Sequence, residues 1–257
     1  MQAERQPNYP LLYSLQGFKY CDLLLAPAER AAWQRTLECG NSFTLGLPSL
    51  RVTSDGVSSA IPKPRGKESG DESPHSKTLH AVFQRATKMF EWRLPGDPLL
   101  DIALDHLTLG RAALYEALLS DSPISNLKSE IEQSVSGLRR AGDITRLPHA
   151  LLTRAWFRFL SGERTGPDSA QSDLDEAWEI AVRGPMRLFM ADVLLSRARL
   201  FGREKAEGGT QTAVEKYPWE SPAADLAAAE KLINTCGYHR RDEELADAKA
   251  VILGVTK

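Results

Sequence analysis

A four-residue box occurs three times in this chain at a constant spacing, and the interpretation of the rest of the sequence depends on it. The copies are Leu109-Gly110-Arg111-Ala112, Leu152-Thr153-Arg154-Ala155 and Leu195-Ser196-Arg197-Ala198. Successive arginines are 43 residues apart, and an aliphatic residue lies two positions before each leucine: Leu107, Ala150 and Val193. A constant spacing over two intervals is typical of stacked structural repeats. We therefore expect a series of similar units.

Each box lies in a stretch with helical apolar periodicity, and a second helical stretch follows it. The first helices are predicted over 99–119, 148–160 and 186–201, and the second over 125–141, 169–182 and 222–235. The second helices share a pattern in which a small residue lies between two apolar ones: Ile131, Ser134 and Leu138; Leu174, Ala177 and Ile180; Leu226, Ala229 and Leu232. A glycine, the residue that most readily ends a helix, closes each: Gly142, Gly184 and Gly237. The predicted unit is therefore a helix, a turn, a second helix and a glycine stop.

The chain before the first box divides into three parts. An apolar helix is predicted from Leu11, with Pro27 ending it and opening a second helix over 28–38. Residues 41–77 are rich in serine, glycine and proline, which predicts a disordered insertion. Helix is expected again over 78–93. The domain organisation is then one continuous solenoid, with N-terminal helices in 1–40, the insertion in 41–77, repeats in 78–240 and a capping helix in 241–257.

The small residue of the box and the aromatic residue three positions later resemble a tetratricopeptide (TPR) repeat. The small residues are Gly17, Ala112, Ala155 and Ala198, and the aromatic residues are Tyr20, Tyr115 and Phe201, with Arg158 departing in the third unit. Segments 11–15, 20–23 and 101–106 are similar to the C-terminal TPR region of large bacterial STAND/NACHT-type signalling proteins, which join such repeats to an NTPase or effector domain. The resemblance implies an all-α, right-handed solenoid of about four TPR-like units. The 43-residue spacing exceeds the usual TPR length of about 34 residues and overlaps that of HEAT repeats, which stay as an alternative.

The recurring arginines are the main candidate binding residues. Arg111, Arg154 and Arg197 occupy equivalent positions and are expected to form a column, which suits an acidic peptide or a terminal carboxylate. The alternative is a structural ladder, in which each arginine pairs with a carboxylate of its own or the neighbouring unit. Trp156, Phe157 and Phe159 cannot all face one way on one helix, so Trp156 and Phe159 join the candidate partner-binding residues.

Other functional classes find little support in the sequence. Charge is nearly balanced, with 32 basic and 34 acidic residues, which gives no field for nucleic acid or an anionic membrane. Glycine-rich phosphate loops are absent, and Asp97, Asp101, Asp105 and His106 are read as a solvated face rather than as metal ligands. The three cysteines, Cys21, Cys39 and Cys236, have no Cys-x-x-Cys spacing, which favours a reduced, cytoplasmic protein. We expect no enzyme activity, cofactor, metal, nucleic acid or membrane association.

The expected function is a non-catalytic protein–protein interaction scaffold or sensor in a bacterial signalling or defence system. The alternative is a HEAT-like regulatory fragment that acts with a separate NTPase or effector domain. The two ends are expected to differ. The last helix is expected to have a charged outer side made of Arg240, Arg241, Asp242, Glu243, Glu244, Asp247 and Lys249. The first helix pair has more apolar residues than it can bury: Leu11, Leu12, Leu15, Phe18, Leu23, Leu24 and Leu25. The N-terminal face should therefore meet another protein, a second copy of this chain or an upstream domain.

Overall fold

A computed structural model describes residues 14–39, 74–92, 96–120, 126–203 and 217–254. These residues form nine α-helices and one short 3-10 turn, and no strand occurs among them. The helices are α1 (Ser14–Cys39), α2 (Pro74–Glu91), α3 (Leu99–Ser120), α4 (Leu127–Ala141), α5 (Leu147–Leu160), α6 (Ala170–Arg183), α7 (Arg187–Phe201), α8 (Pro222–Cys236) and α9 (Asp242–Leu253), and the 3-10 turn is His239–Arg241. The all-α prediction is confirmed for the described part of the chain.

Helices that follow one another in the sequence pack mostly as pairs. The pairs are α3 with α4, α5 with α6 and α7 with α8. We call α3, α5 and α7 the A helices and α4, α6 and α8 the B helices. Each of α5 and α7 also contacts both the A helix and the B helix of the preceding pair. The predicted helices from residue 99 onward are present, with bounds within two residues of those expected.

The box alanines are buried at the centre of the core, as a small residue in a closely packed helix should be. Ala112, Ala155 and Ala198 are 0% exposed. Two glycines mark the close approach of α3 and α4. A Cβ atom at Gly137 would lie 2.8 Å from the Cβ of Ala103, and one at Gly110 would lie 3.0 Å from Ile131.

The helix ends follow the local sequence. Ser221 caps α8 by accepting a hydrogen bond from the Ala224 amide, and Pro222 takes the first helical position. Gly142 and Gly237 end α4 and α8 in the left-handed conformation, with φ of 69° and 64°. Gly184 does not adopt it, with φ of −88°, and α6 ends there because proline follows at position 185.

Three sequence predictions need correction. Pro27 does not end a helix, because α1 continues through it to Cys39. A proline at this position frees the carbonyl group of Leu23 from its helical bond, and since Leu23 is 67% exposed, water can satisfy that carbonyl. Helix α2 begins at Pro74 rather than at residue 78, and the rest of the predicted insertion, 41–73, lies outside the described residues.

The register of the B helices is the third correction. The buried equivalents of Leu138 are Ala181 and Ile233, each 0% exposed, rather than Ile180 and Leu232. Ile180 is also buried, but Leu232 is only partly so. The third position of the pattern thus lies seven residues, or about two helical turns, after the first apolar residue. This spacing keeps all three positions on one face of the helix.

Candidate functional site

Helix α1 lies across the A helices of its own chain. Its backbone lies close to those of α2, α3, α7 and α9, and its side chains also contact α5. We call the surface beneath α1, formed by α3, α5, α7, the 3-10 turn and α9, the central groove. The buried residues of α1 recur at helical spacing: Phe18, Cys21, Leu25, Ala28, Ala32, Trp33 and Leu37. The buried side of α1 therefore packs on the helix pairs of its own chain, which corrects the expectation that most of this apolar set is left unpaired. Association of the N-terminal face with another protein or a second copy stays a prediction.

An aromatic stack fixes the C-terminal half of α1 in the central groove. The ring of Trp33 lies face to face with that of Trp156 in α5, with centroids 3.6 Å apart and an interplanar angle of 11°. The indole nitrogen of Trp156 donates a hydrogen bond to Thr36 Oγ1 of α1 at 3.2 Å. The guanidinium of Arg199 in α7 lies 4.7 Å from the centre of the Trp33 ring. Two large rings and a cation thus share one buried contact, which makes it a major source of binding energy for α1.

A buried network of charges fixes the N-terminal half of α1. Arg111 donates to Asp22 at 2.8 Å, to Glu29 at 3.0 Å and to the Tyr115 hydroxyl at 3.1 Å. Its side chain is 1% exposed, so the bonds to Glu29 and Tyr115 are buried, whereas the Asp22 side chain is 20% exposed. Because both carboxylates belong to α1, the first arginine of the column holds the helix rather than a neighbouring unit.

Arg241, in the 3-10 turn, forms the second half of this network. It donates to Glu29 at 3.1 Å, to Asp192 at 2.9 Å and to Glu244 at 2.6 Å. Arg240 adds a bond to Asp22 at 2.6 Å. The sequence prediction that Arg241 and Glu244 belong to a charged outer side is therefore wrong, because they are buried against α1 and α7, at 8% and 6% exposure.

The network keeps the two α1 carboxylates ionised. Burial raises the pKa of Glu29, but Arg241 and Arg111 more than offset it and hold the pKa at about 2. Burial also acts on Asp22, where Arg111 is the main opposing charge and leaves the pKa well below its usual range. Asp192 differs, because burial outweighs Arg241 and raises its pKa.

Partly buried His149 carries no charge at neutral pH. Burial and then the positive charge of Arg111 lower its pKa to about 3, against the opposing effect of Asp22. Its ring packs edge-on against Phe18 of α1, with centroids 5.5 Å apart. A neutral imidazole is thus part of the apolar contact between α1 and α5.

Arg154 and Arg197 form a repeated structural contact between neighbouring pairs. Arg154 donates to Glu132 of α4 at 2.9 Å, and Arg197 donates to Asp175 of α6 at 3.1 Å, both 22 residues away. In each case an A helix is joined to the preceding B helix. The equivalent position for Arg111 holds Met89, which cannot accept such a bond, and this explains why Arg111 pairs with α1 instead.

The two repeated contacts differ in depth. Arg154 also donates hydrogen bonds from two nitrogens to the two carboxylate oxygens of Asp173, at 2.7 and 3.0 Å, and the Asp173 side chain is 2% exposed. Arg158 joins the same carboxylate at 3.1 Å, which accounts for an arginine where the repeat pattern expects an aromatic ring. Arg197 has one carboxylate, 46% exposed, and otherwise lies over the ring of Trp219 at 4.4 Å.

All five candidate partner-binding residues are buried and engaged within the chain. The exposed fractions of Arg111, Arg154, Arg197, Trp156 and Phe159 lie between 1% and 6%. Arg154 and Arg197 have the geometry of the ladder alternative, whereas Arg111 pairs with α1. Phe159 packs against Phe201 of the next pair, with ring centroids 5.1 Å apart. Binding of a partner by these residues stays a prediction.

Sequence reasoning missed the residues of α1 that complete this site. Asp22, Glu29 and Trp33 are separated by seven and four residues, which places them on one face of a helix. The predicted break at Pro27 concealed that shared face. Treating the segment as a single helix would have revealed two acids and a tryptophan pointing the same way.

Small polar spaces accompany the site. A cavity of about 40 Å³ lies between α1 and the A helices, lined by Glu29, Trp33, Tyr115, Trp156, Asp192 and Arg199. This volume accommodates a few water molecules and no larger ligand. Among the described residues, no group of three or more His, Cys, Asp or Glu could hold a metal ion. His106 and Asp101 instead bond to Glu130 at 2.7 Å and Ser14 at 2.5 Å.

Within the described ranges, no helix is long and apolar enough to cross a membrane. Comparisons with protein-family models, with curated proteins and with solved structures found no match to this chain.

Proposed function

We propose that this chain is a non-catalytic protein–protein interaction module, built of about four TPR-like units in a right-handed solenoid. Its role would be that of a scaffold or sensor in a bacterial signalling or defence system. The observation that carries the proposal is the helix seated across α3, α5 and α7. Stacked helix pairs present extended surfaces that accept peptides and helices, and here a helix occupies such a surface.

The repeated ion pairs support the repeat architecture. The contacts of Arg154 with Glu132 and of Arg197 with Asp175 join successive pairs in the same way, and the buried box alanines recur with the same period. Two successive junctions built alike are what a stack of repeats requires. The HEAT-like alternative, a regulatory fragment acting with a separate NTPase or effector chain, rests on the 43-residue spacing.

The rim of the central groove offers a surface for partners. Between α1 and α9 an open depression of about 510 Å³ is lined by Ala26, Pro27, Arg30, Gln34, Arg240 and Glu243. Along the outer side of α1, Tyr20 and Leu23 are 42% and 67% exposed. The mixture of exposed apolar groups and charges of both signs suits a protein surface rather than one class of small ligand.

Photo-crosslinking in cells that express the chain tests the proposal. A photoreactive residue is placed at His239 or Glu243 on the rim, where both side chains are 71% exposed. Matched controls at Ser136 and Glu179 are exposed, equivalent positions of two B helices. The proposal expects defined adducts with another protein at the rim positions alone. Equal adducts at the control positions, or none at the rim, would contradict it, and an adduct with an NTPase or effector chain would favour the HEAT-like alternative.

A further inference from the structure

The B helices α6 and α8 begin with equivalent buried acids. Asp173 and Asp225 each lie four residues after the serine that caps the helix, and their exposed fractions are 1% and 7%. Arg154 and Arg197 occupy the same box position in the A helices of these two pairs. Arg154 donates hydrogen bonds from two nitrogens to Asp173. The repeat therefore predicts the same ion pair between Arg197 and Asp225.

In the pair of α7 and α8, another contact takes the place of this ion pair. Asp225 accepts a hydrogen bond from the Tyr217 hydroxyl at 2.5 Å. Arg197 bonds to Asp175 through Nη2, while its buried Nε atom has no hydrogen-bond acceptor among the described residues. A tyrosine thus holds the acid that the repeat assigns to the arginine, and the arginine is left with a buried donor that is not used.

Residues 217–220, which we call the strap, lie directly before the cap of α8 and belong to no helix. The strap contributes Trp219, whose ring centre lies 4.4 Å from the guanidinium of Arg197. The indole nitrogen of Trp219 donates to Asp175 at 2.8 Å, and its ring packs edge-on against Phe201, with centroids 5.3 Å apart. The strap therefore covers the arginine with one side chain and occupies its acid with another.

Arg197 and Asp225 lie close enough to influence each other's protonation. Burial raises the pKa of Asp225, against the hydrogen bond from Tyr217 and the positive charge of Arg197. The negative charge of Glu220 acts in the same direction as burial. A guanidinium turned toward Asp225 would give Nε an acceptor, in the geometry that Arg154 already shows. Since the carboxylate is hydrogen-bonded in either arrangement, exchange between the two leaves no buried charge unpaired.

We propose that the strap is a displaceable element of the fold and that Tyr217 and Arg197 compete for Asp225. With the strap closed, as in this structure, Tyr217 holds the acid. With the strap released, Arg197 pairs with Asp225 through Nε as in the preceding pair, and the ring of Phe201 loses the cover of Trp219. A ligand that binds the released strap or the uncovered ring shifts the population towards this state. The inference concerns α7, α8 and the strap, and it does not rest on the proposed interaction function.

The pKa of the Asp225 carboxyl group, measured by carbon-13 nuclear magnetic resonance and assigned with Asp225→Asn, tests the competition directly. In a Tyr217→Phe chain, Arg197 should take the place of the hydroxyl and lower this pKa by about 1 or more, because an adjacent guanidinium favours the charged carboxylate. Loss of the hydroxyl without such replacement raises the pKa instead, and this result is expected for the chain that also carries Arg197→Met. An unchanged or raised pKa in the Tyr217→Phe chain would overturn the proposal.

A double-mutant cycle measures the same competition through stability. With Arg197 present, Tyr217→Phe should raise the equilibrium constant of unfolding by less than about 10-fold, because the arginine replaces the lost donor. In an Arg197→Met chain the factor should be at least about 10 times larger, because the buried carboxylate is left unpaired. The matched control is Tyr238→Phe, which removes the hydroxyl that donates to Asp192 at 3.2 Å and should have the same effect in both chains. The proposal fails if Tyr217→Phe also has the same effect in both.

Exchange of the strap in the otherwise unmodified chain is followed at Trp219, with 5-fluorotryptophan as the label and Trp219→Phe for assignment. Fluorine-19 relaxation dispersion should detect a minor state of Trp219 on the microsecond to millisecond timescale. Arg197→Met should suppress this state, because release of the strap then leaves Asp225 without its second partner. A Trp219 signal without exchange in the parent chain, or with the same exchange in the Arg197→Met chain, would overturn the proposal.

Discussion

Replacing Arg111 with methionine should destabilise the protein far more than the same change at Arg197, although both occupy the same position of the repeated box. Arg111 is 1% exposed, and its two carboxylate partners, Asp22 and Glu29, have side chains that are 20% and 8% exposed. Removing one member of a buried ion pair typically costs about 3–5 kcal/mol, because the partner charge is left without compensation. Arg240 and Arg241 also contact these carboxylates, so we expect a loss near the lower limit, about 3 kcal/mol.

The matched change Arg197→Met leaves a carboxylate that water can solvate. Asp175 is 46% exposed, and an ion pair of this kind contributes about 0–1 kcal/mol. The stacking of Arg197 on Trp219 adds about 0.5–1 kcal/mol, which gives an expected total of about 0.5–2 kcal/mol. Urea unfolding followed by far-ultraviolet circular dichroism measures both losses. Equal losses, or a larger one for Arg197→Met, would refute the assignment of Arg111 as the residue that holds α1.

Three further predictions follow from the packing and the charges. Ala155→Leu and Ala198→Leu should each cost about 1–3 kcal/mol by overpacking a fully buried position, and unchanged melting of both would show that the helices are not closely packed there. Gly137→Ala should also destabilise, despite the better helix propensity of alanine, because its Cβ would lie 2.8 Å from that of Ala103; a raised melting temperature would place α3 and α4 further apart. Because of His149, the free energy of unfolding should fall by about 1–2 kcal/mol as the pH drops from 6.5 to 5. In that range the imidazole takes up a proton in the unfolded chain, whereas in the folded chain, where it faces Arg111, Asp22, Glu29 and Arg241, it stays neutral until about pH 3. Urea unfolding of His149→Gln should therefore show a flatter pH profile than that of the parent chain.

At lower pH the α1 carboxylates should dominate the pH dependence. The pKa of Glu29 is about 2 when folded and 4.5 ordinarily, so its contribution is present above about pH 4.5 and is lost as the pH falls towards 2. Asp22, whose pKa is also lowered, acts in the same direction. Glu29→Gln should therefore reduce stability at pH 6 more than at pH 3, as measured by urea unfolding. An effect of the same size at both values would show that the carboxylate is not ionised in the folded chain.

The helices from residue 99 onward could be predicted because their signals are local. Apolar residues recur at helical spacing, glycine or proline follows each B helix, and the box repeats every 43 residues. The ladder arrangement was also within reach, since Glu132 and Asp175 lie 43 residues apart and each precedes its arginine by 22. Because such contacts connect neighbouring units, their residues recur at a constant spacing in the sequence.

The position of α1 could not be predicted because nothing periodic encodes it. Asp22 and Arg240 are 218 residues apart, and Glu29 and Arg241 are 212 apart. Two buried charges near the C-terminus, Arg241 of the 3-10 turn and Glu244 of α9, look like part of an exposed cap in the sequence. Charged residues are rarely buried unless they are paired. Only the fold brings their partners from α1 and α7 to them. Because of the same distance in sequence, the apolar N-terminal residues have no visible packing partner in the sequence.

The central claim is that α1 occupies the groove of its own chain, and nuclear magnetic resonance of isotope-labelled tryptophans tests it most directly. The chain has five tryptophans, so each resonance can be assigned by a single Trp→Phe variant. With the rings of Trp33 and Trp156 only 3.6 Å apart, the account predicts strong nuclear Overhauser effects between them and slow exchange of the Trp156 indole proton, which bonds to Thr36. Chemical shifts of Trp33 typical of a solvent-exposed indole, together with no cross-peak to Trp156, would contradict the account.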